Sequence, residues 1–304
     1  MLRQATAGSQ PIAAIRLPRS IGWLPLLVLP LCAAATRTLL PPWAFMWTLA
    51  LAIYAACKWL TWWRVRNRAA HPPWRSSAYL LAWPGMDAET FLDTNVRVPP
   101  PRLRAWFIAG LETSLGAVLL WGAARSVPAS HPLLRGWTGM LGAIFLLHFG
   151  IFQVLALFWQ TCGVDAPAIM AAPLRSTSLS EFWGKRWNLG FHQLAHDGIF
   201  APLHRRLGTF IAGWLVFAVS GLVHDLLISI PARAGYGLPT AYFLLQGAGV
   251  ALERTAFGKK LGLRRGWRGW LFMAACTAGP AFLLFHPAFV TRVIVPFMKA
   301  IRAL

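Results

Sequence analysis

Asn188 and His224 are the residues of this chain whose types and settings are best suited to chemistry. Asn188 ends a run of aromatic and basic side chains, and His224 follows thirty-six positions later inside a long hydrophobic run. Hydrocarbon penalises polar and ionisable side chains, so each needs a partner or a function. Imidazole titrates near neutral pH and can take a proton from a hydroxyl group, which makes His224 a candidate general base. The amide of Asn188 is a candidate hydrogen-bonding group at a reaction centre.

The residues just before Asn188 form a candidate binding site for an anionic molecule. Lys185 and Arg186 supply positive charge, and they lie between Trp183 and Trp187. The same composition is typical of an interfacial anchor, with aromatic rings at the lipid headgroups and cations towards the phosphates. Composition alone favours the anchor, so the functional interpretation depends on the rest of the chain.

Two neighbours of His224 bear on its role. Asp225, a candidate substrate-binding residue, is harder to bury than a neutral His, so it must pair, take up a proton or reach water. A structural bridge between two helices is the alternative to this functional role. Ser220 lies one helical turn before His224, and small residues there would let a helix or a substrate chain approach closely. A Ser220–His224 acyl-enzyme pair would need a nucleophile elbow, which the sequence lacks. Direct transfer, with His224 activating an alcohol, needs fewer parts.

Metal binding is not expected. His192 and His196 have a spacing that can ligate zinc, yet neither an HExxH motif nor an obvious third ligand accompanies them. The four cysteines are far apart and include no CxxC pair, so neither a zinc site nor a disulfide framework is predicted. Glu112 and His148 lie inside apolar runs and are candidate pore-lining or helix-pairing groups.

The elements that carry these residues are predicted to be membrane-spanning helices. Of the 304 residues, 57% are hydrophobic and only 12% are charged, whereas soluble domains carry about 25% charged residues. Long apolar runs recur, which predicts an all-α polytopic membrane protein with about seven or eight transmembrane helices and a single domain over residues 1–304. The seven candidate helices lie at about 21–40, 43–63, 105–124, 137–160, 208–230, 238–253 and 269–290.

The net charge of +20 has a distribution that orients these helices. The loops 64–104, 161–207 and 254–268 are rich in Lys and Arg, and the alternate connections carry one or two cations each. The positive-inside rule therefore places the N-terminus and the three basic loops in the cytoplasm, and it accounts for the charge without a nucleic-acid partner. A positive cytoplasmic face would attract anionic lipids or anionic substrates such as coenzyme A thioesters.

The two ends of the chain raise separate questions. The apolar run Ile21–Ala35 is preceded by the arginines Arg3, Arg16 and Arg19, and it is predicted to be an uncleaved first helix rather than a removed signal peptide. Seven spans would leave a basic C-terminus outside, so an eighth crossing or a re-entrant end is favoured. The prolines of the 269–298 region allow one kinked span or two. The Arg- and Ala-rich composition weakly favours a bacterial plasma membrane.

Two polar segments are predicted to differ in structure. Residues 64–104 contain Pro72-Pro73 and the triplet Pro99–Pro101, which predicts an irregular surface loop rather than a packed domain. In residues 178–200, Ser178 or Ser180 is a candidate N-cap, and aromatic residues recur at near-helical spacing. This pattern predicts an amphipathic helix lying in the membrane interface.

The tryptophan segment, residues 178–188, carries a recognisable pattern. Ser178-Leu179 and the run Phe182-Trp183-Gly184-Lys185-Arg186-Trp187-Asn188 resemble the signature of the wax-synthase-like branch of the membrane-bound O-acyltransferase family. Three further blocks follow in matching order: Phe200-Ala-Pro-Leu-His-Arg-Arg206, Ser220-Gly-Leu-Val-His224, and Thr240-Ala-Tyr-Phe-Leu-Leu-Gln-Gly247 with Leu252-Glu253. The tryptophan segment is fairly specific, and the resemblance covers roughly residues 145–255.

The resemblance implies transfer of an acyl group from a thioester, usually acyl-coenzyme A, to the hydroxyl of a lipophilic alcohol within a membrane. Carried onto this chain, His224 would take the hydroxyl proton and Asn188 would position or polarise the reacting groups. No cofactor is implied besides the acyl-coenzyme A cosubstrate. Asp225 stands where Glu is expected and Gln246 where His is common, so the alcohol is left open, because the helix of Gln246 would help to line the reaction chamber.

The depth of His224 is a difficulty for this interpretation. A straight helix that begins near Gly208 would place His224 about 24 Å along its axis, past the midpoint of a core about 30 Å thick. Asn188 is expected near the basic face. Either the helix is tilted, or the 178–200 segment dips into a water-filled cavity.

A transporter or a lipid-binding membrane protein is the alternative function. His224, Asp225 and Glu112 would then form a proton or substrate path. Such folds often contain inverted repeats with paired broken helices. The sequence contains no visible repeat, which counts against this alternative.

Overall fold

The computed structural model describes residues 19–68 and 70–304. The regular elements of these residues are all helical, which confirms the predicted all-α class. They are α1 (Leu24–Ala35), α2 (Pro42–Val65), α3 (Pro73–Ala82), α4 (Ala88–Leu92), α5 (Leu103–Ser126), α6 (Pro132–Thr161), α7 (Leu179–Glu181, continued by a π-helical turn over Phe182–Arg186), α8 (Leu189–Ala232), α9 (Leu238–Arg254), α10 (Ala256–Leu261), α11 (Gly266–Leu284) and α12 (Pro287–Ala300).

Within the described residues, five helical stretches are long and apolar enough to cross a membrane: Ile21–Thr38, α2, α5, α6 and α8. A sixth is obtained if α11 and α12, which are bent by 60° relative to each other, form one broken span. Helix α9 has 17 residues, at the lower end of the range for spanning helices. All seven predicted segments are helical, but the predicted count of seven or eight crossings is not confirmed.

The two ends of the chain differ in how far the structure describes them. The 269–298 region is broken between Leu284 and Pro287, and His286 caps the second helix by accepting a hydrogen bond from the Phe289 amide at 3.2 Å. Two segments with a break therefore replace the single kinked helix that the prolines also allowed. Arg3 and Arg16 lie outside the described residues.

The prediction of an irregular surface loop over residues 64–104 is wrong. The segment contains α3 and α4, and it buries the aromatic side chains of Tyr79, Trp83 and Phe91. These rings pack against Ala156 of α6 and against residues 164–169. The prolines start helices and bound extended stretches here, while the hydrophobic residues between them supply a core.

The prediction of one amphipathic helix over residues 178–200 is also wrong. The helix is broken at Trp187 and Asn188, where Asn188 adopts the left-handed conformation with φ 46° and ψ 57°. The part before the break packs inside the protein, since Leu179 and Phe182 are buried. The part after it, residues 189–200, is the beginning of α8. Ser178 does cap α7 as predicted, because its Oγ accepts a hydrogen bond from the Glu181 amide at 3.0 Å.

Helices α8 and α9 form the antiparallel pair that positions the candidate site. Helix α8 is interrupted at Gly208, with φ 77° and ψ 167°, close to the predicted start of its apolar part. Beyond this point Gly221 lies directly against the backbone of Thr240, where a side chain at position 221 would overlap α9. The small residues before His224 thus allow close helix contact, as predicted.

Candidate active site

His224 lies on the α9-facing side of α8 in a defined orientation. Its Nδ1 is 2.7 Å from the carbonyl oxygen of Ser220, one turn earlier, and its ring centroid is 4.4 Å from that of Phe243 on α9. A carbonyl can only accept a hydrogen bond, so Nδ1 must carry the proton. The other nitrogen, Nε2, is then the basic one, and no described residue hydrogen-bonds it. This is the state required of a general base.

Ser220 contributes its backbone rather than its side chain to this arrangement. The hydrogen bond from His224 goes to the Ser220 carbonyl, and no described residue pairs with the Ser220 hydroxyl. The geometry therefore offers no activated Ser nucleophile beside the imidazole.

Asp225 holds the N-terminal end of α9. Its Oδ1 accepts hydrogen bonds from the Ser229 hydroxyl at 2.8 Å and the Gly237 amide at 2.9 Å. Its Oδ2 accepts from the Thr240 amide at 3.1 Å and from the Thr240 hydroxyl. Negative charge at a helix N-terminus is stabilising, because the first amides have no partner within the helix. Asp225, predicted to contact substrate, is thus fully engaged in joining α8 to α9, which is the structural alternative that its burial allowed.

Glu253 accepts a comparable set of hydrogen bonds at the other end of α9. Its side chain is fully buried and accepts hydrogen bonds from the amides of Leu179 at 2.8 Å and Ser180 at 3.0 Å, and from the Ser180 hydroxyl. These amides belong to the N-terminus of α7. The buried carboxylate therefore attaches the tryptophan segment to the end of α9.

Arg186 is likewise engaged within the protein. Its Nε and Nη2 contact Glu181 Oε1 at 2.8 and 2.7 Å, and its Nη1 donates to the Ala171 carbonyl at 3.0 Å. The Thr177 amide donates to Glu181 at 2.8 Å, and this bond, followed by those from Arg186, lowers the pKa of the Glu181 carboxyl below its ordinary value. Arg186 therefore stabilises the fold of the tryptophan segment, and its guanidinium is not available as the predicted anion-binding group.

Lys185 differs from its neighbour in this respect. Its side chain is exposed and forms no ion pair or hydrogen bond with the described residues. It is the cation of the tryptophan segment that remains free to attract an anionic molecule.

Trp183 connects the tryptophan segment to both α8 and α9. Its ring lies 6.2 Å from Phe217 and 5.6 Å from Phe243, measured between centroids, and its Nε1 donates to Gln246 Oε1 at 3.3 Å. Gln246 is fully buried and its Nε2 donates to the Cys276 carbonyl at 2.7 Å. Both functional groups of Gln246 are thus used inside the protein, although the sequence suggested a substrate contact.

A continuous series of ring contacts joins the tryptophan segment to His224. Trp187 is stacked between His148 and Phe182, with centroid distances of 6.3 and 5.3 Å and interplanar angles of 14° and 16°. The contacts then continue from Phe182 to Trp183 and through Phe243 to the imidazole. This aromatic series consists of His148, Trp187, Phe182, Trp183, Phe243 and His224.

The aromatic series places part of the tryptophan segment and His224 at the same level along α9. Glu253, at the end of α9 that leads to the basic loop 254–268, contacts the start of the tryptophan segment. Phe243, ten residues earlier and about 15 Å along the helix axis, contacts Trp183 and His224. The tryptophan segment therefore descends along α9 to the level of the imidazole. The tilt of α8 and the depth of the segment in the membrane both stay predictions.

Asn188 marks the point where the chain turns out of this segment into α8. Its backbone amide donates to Met170 Sδ at 3.2 Å, its carbonyl accepts from the His192 amide, and the next amide, of Leu189, donates to the Ile169 carbonyl at 2.9 Å. The side-chain amide hydrogen-bonds no described residue, His224 included. Its donor and acceptor are therefore open to another molecule.

Sequence reasoning underrated two residues of this arrangement and missed a third. Glu253 entered only as part of the resemblance, and His148 only as a candidate lining group, although its Nδ1 is buried without a partner among the described residues. The sequence interpretation gave no role to Lys58. The available signal was similar for Glu253 and Lys58, because each is a charged residue in a largely apolar helix, where a charge needs a reason.

No metal centre is formed by the residues that the structure describes, where no group of three or more His, Cys, Asp or Glu side chains could hold an ion. The rings of His192 and His196 are 6.5 Å apart, and Asp197 binds His196 at 2.8 Å. These are the polar-face contacts of a helix.

Comparison with known proteins gives this geometry a context. Residues 166–245 match the model of the "Membrane bound O-acyl transferase family". The chain is 33% identical over 139 residues to the "Probable long-chain-alcohol O-fatty-acyltransferase 3" of Arabidopsis thaliana, covering 41% of this chain and 39% of that protein. It is 33% identical over 144 residues to the "Long-chain-alcohol O-fatty-acyltransferase" of Simmondsia chinensis, covering 41% of each. The alignments span half or less of these relatives' length.

The matched region contains the elements described above. It begins before the tryptophan segment, includes Asn188 and His224, and ends on α9 one residue before Gln246. The apolar helices and this match together make the chain a multi-pass integral membrane protein. Residues 166–245 are thus similar to the membrane-bound O-acyltransferase family, and the chain is similar to long-chain-alcohol O-fatty-acyltransferases over the aligned part.

Proposed function

We propose that this chain is a membrane O-acyltransferase that moves an acyl group from acyl-coenzyme A to the hydroxyl of a lipophilic alcohol, forming a wax-like ester. The observation that carries the proposal is the orientation of His224. Its Nδ1 is held by the Ser220 carbonyl, so its Nε2 is a free base at the end of the aromatic series. The printed names of the plant relatives support the choice of a long-chain alcohol.

In the proposed reaction His224 acts as the general base. Its Nε2 takes the hydroxyl proton while the alcohol oxygen attacks the thioester carbonyl. The new C–O bond forms, the C–S bond breaks, and the coenzyme A thiolate leaves. The proton that His224 took from the hydroxyl passes to the thiolate, which gives the thiol and restores the neutral imidazole. General-base catalysis of this kind contributes about 10²- to 10⁴-fold to the rate. The Ser220 carbonyl stabilises the imidazolium that exists during the reaction, because it continues to accept from Nδ1.

Asn188 is proposed to position the thioester. Its side-chain amide has no partner within the described residues, and an amide N–H can donate to a carbonyl oxygen on which negative charge develops. The proposal divides the site between two elements: the tryptophan segment binds the thioester end, and α8 supplies the base.

The remaining predicted binding residues receive different roles. Lys185 is proposed to attract the phosphates of coenzyme A, since its charge is exposed and unpaired. Trp183 and Trp187 line the approach between the two halves of the site. Arg186, Asp225 and Gln246 are assigned to positioning, because their polar atoms are used within the protein.

The transporter alternative receives less support from these contacts. It needs His224 and Asp225 to exchange protons along a path, but the Asp225 carboxylate accepts four hydrogen bonds from Ser229, Gly237 and Thr240. A carboxylate held in this way at a helix N-terminus is a structural group. We therefore retain the acyltransferase as the proposed function.

The membrane that holds the protein remains a prediction from composition. The relatives named above are plant proteins and lend no support to the bacterial plasma membrane that the Arg- and Ala-rich composition suggested.

The test of the proposed function is an assay of the purified full chain. Labelled acyl-coenzyme A is incubated with a panel of fatty alcohols, sterols and glycolipids, and both the ester and the released thiol are measured. Ester and thiol formed in equal amounts with a long-chain alcohol are the expected result. Proton-coupled flux in liposomes without thioester consumption would contradict the proposal and favour the transporter.

A further inference from the structure

Lys58 is an anomaly in the second span. It is the only charged residue between Pro42 and Trp63, and its side chain is 1% exposed. Its Nζ donates to the Gly85 carbonyl at 2.6 Å and lies 3.1 Å from the centroid of the Tyr79 ring. No described carboxylate pairs with it. An ionisable residue buried in a span is costly, so its presence there points to a function.

The group that Lys58 holds is a turn, residues 82–86, between α3 and α4. Ala82 is the last residue of α3 and residues 83–86 lack regular structure, so the carbonyl groups of this turn need other partners. Three side chains from two spans supply them. Tyr54 Oη donates to the Trp83 carbonyl and Trp159 Nε1 to the Ala82 carbonyl, both at 3.0 Å, while Lys58 binds Gly85. The 82–86 turn is thus fixed inside the bundle.

The 82–86 turn supports the first turn of α8. Gly190 is buried against it, and a Cβ at position 190 would lie 3.2 Å from the Met86 amide nitrogen and 3.5 Å from Gly85 Cα. Gly190 follows Asn188 by two residues. The left-handed backbone of Asn188 is costly for a residue with a side chain, and such a conformation persists only where the surroundings hold it. The 82–86 turn is one of those surroundings.

We propose that Lys58 is a positioning residue for Asn188. It acts through the Gly85 carbonyl and Gly190, without contact with substrate, and it fixes the direction in which the Asn188 amide points. This inference rests on the proposed function for its catalytic consequence, but its structural part can be measured separately. It also assigns a role to the second span, which lies outside the family-matched residues 166–245.

A double-mutant cycle tests the catalytic consequence. Lys58→Met keeps an unbranched apolar chain but removes the donor, and we expect it to lower kcat for acyl transfer by up to about tenfold, the loss expected for Asn188→Ala, with little change in KM. If Lys58 acts through Asn188, the substitution has no further effect on kcat in an Asn188→Ala background. The same loss of kcat in both backgrounds would overturn the inference.

Hydrogen–deuterium exchange of the peptide that covers residues 186–191 tests the structural part without relying on activity. Lys58→Met should speed this exchange, and Gly190→Ala, which crowds the same contact, should do so even if Lys58→Met does not fold. Arg68→Ala is the matched control. Arg68 forms an exposed ion pair with Glu89 of α4, so this substitution should leave exchange of the peptide unchanged. Unchanged exchange in folded Lys58→Met, or in Gly190→Ala when Lys58→Met does not fold, overturns the inference even if acyl transfer is confirmed. Faster exchange in a protein without acyl transfer leaves the positioning contact standing and rejects the proposed function.

Discussion

Asp225 and Glu253 hold opposite ends of the same helix. Asp225 on α8 accepts hydrogen bonds from the first amides of α9, and Glu253 near the last residue of α9 accepts those of the tryptophan segment. Helix α9 therefore connects the helix that carries His224 to the segment that carries Trp183. The distance between the two halves of the candidate site is set by these two carboxylates.

Removing the charge of either carboxylate should destabilise the folded protein. Asp225→Asn and Glu253→Gln should each lower the free energy of unfolding by about 1.5–3 kcal/mol, because each replaces a charged acceptor of several amides with a weaker one. Thermal unfolding of the purified variants in detergent measures this. Glu89→Gln is the matched control, since its ion pair with Arg68 is exposed and worth about 0–1 kcal/mol. Equal effects of all three substitutions would contradict the assignment.

The two cations of the tryptophan segment should behave differently. Lys185→Gln should raise the KM for acyl-coenzyme A about two- to fivefold, an effect that fades at high salt, because an exposed charge is worth 1 kcal/mol or less. Arg186→Gln should instead lower thermal stability, since it breaks the contacts with Glu181 and the Ala171 carbonyl. Steady-state kinetics at two salt concentrations and thermal unfolding separate these outcomes. A KM effect at position 186 with unchanged stability would show that Arg186 binds substrate after all.

The Glu181 carboxylate predicts a particular dependence of stability on pH. Its pKa is lowered by the Thr177 amide first and then by Arg186, so the folded state favours the charged form. The contribution of Glu181 is present above the ordinary carboxyl pKa and is lost as the pH falls through the lowered value. The difference in melting temperature between the wild type and Glu181→Gln should therefore be constant from neutral pH down to the ordinary carboxyl pKa. It should shrink only at lower pH. A difference that changed near neutral pH would implicate another group.

His148 should tolerate an aromatic replacement. Its ring stacks on Trp187, while its Nδ1 is buried and has no partner among the described residues. His148→Phe keeps the ring and removes the unpaired nitrogen, so thermal stability should be unchanged or higher. His148→Ala removes the stack and should be destabilising. Equal destabilisation by both substitutions would mean that the nitrogen has a partner in the folded protein.

Much of the fold could be predicted from composition and periodicity, because long apolar runs in the sequence indicate membrane-spanning helices. The seven segments are helical, and Ser178 caps α7 as its residue type suggested. The errors arose where tertiary contacts override local pattern. Residues 64–104 contain prolines typical of a loop, yet Tyr79, Trp83 and Phe91 are buried. The aromatic spacing of 178–200 indicates a helix, but the left-handed Asn188 breaks it.

The residues proposed for the candidate site, with His224 and Asn188 first among them, stay predictions from the sequence. The sequence could not reveal which polar groups are already satisfied within the protein. Arg186, Asp225 and Gln246 resemble binding residues in the sequence because they are polar and near the motif. Only the contacts of Arg186 with Glu181, of Asp225 with Thr240 and of Gln246 with Trp183 identify them as positioning groups.

The most direct test of the central claim is the rate of acyl transfer in His224→Ala. The account predicts that this variant, at a normal level in the membrane, loses transfer by about 10²- to 10⁴-fold because the hydroxyl proton has no acceptor. Asn188→Ala should lose about tenfold, since it removes one hydrogen bond to the reacting group. Transfer at the wild-type rate by folded His224→Ala would contradict the account.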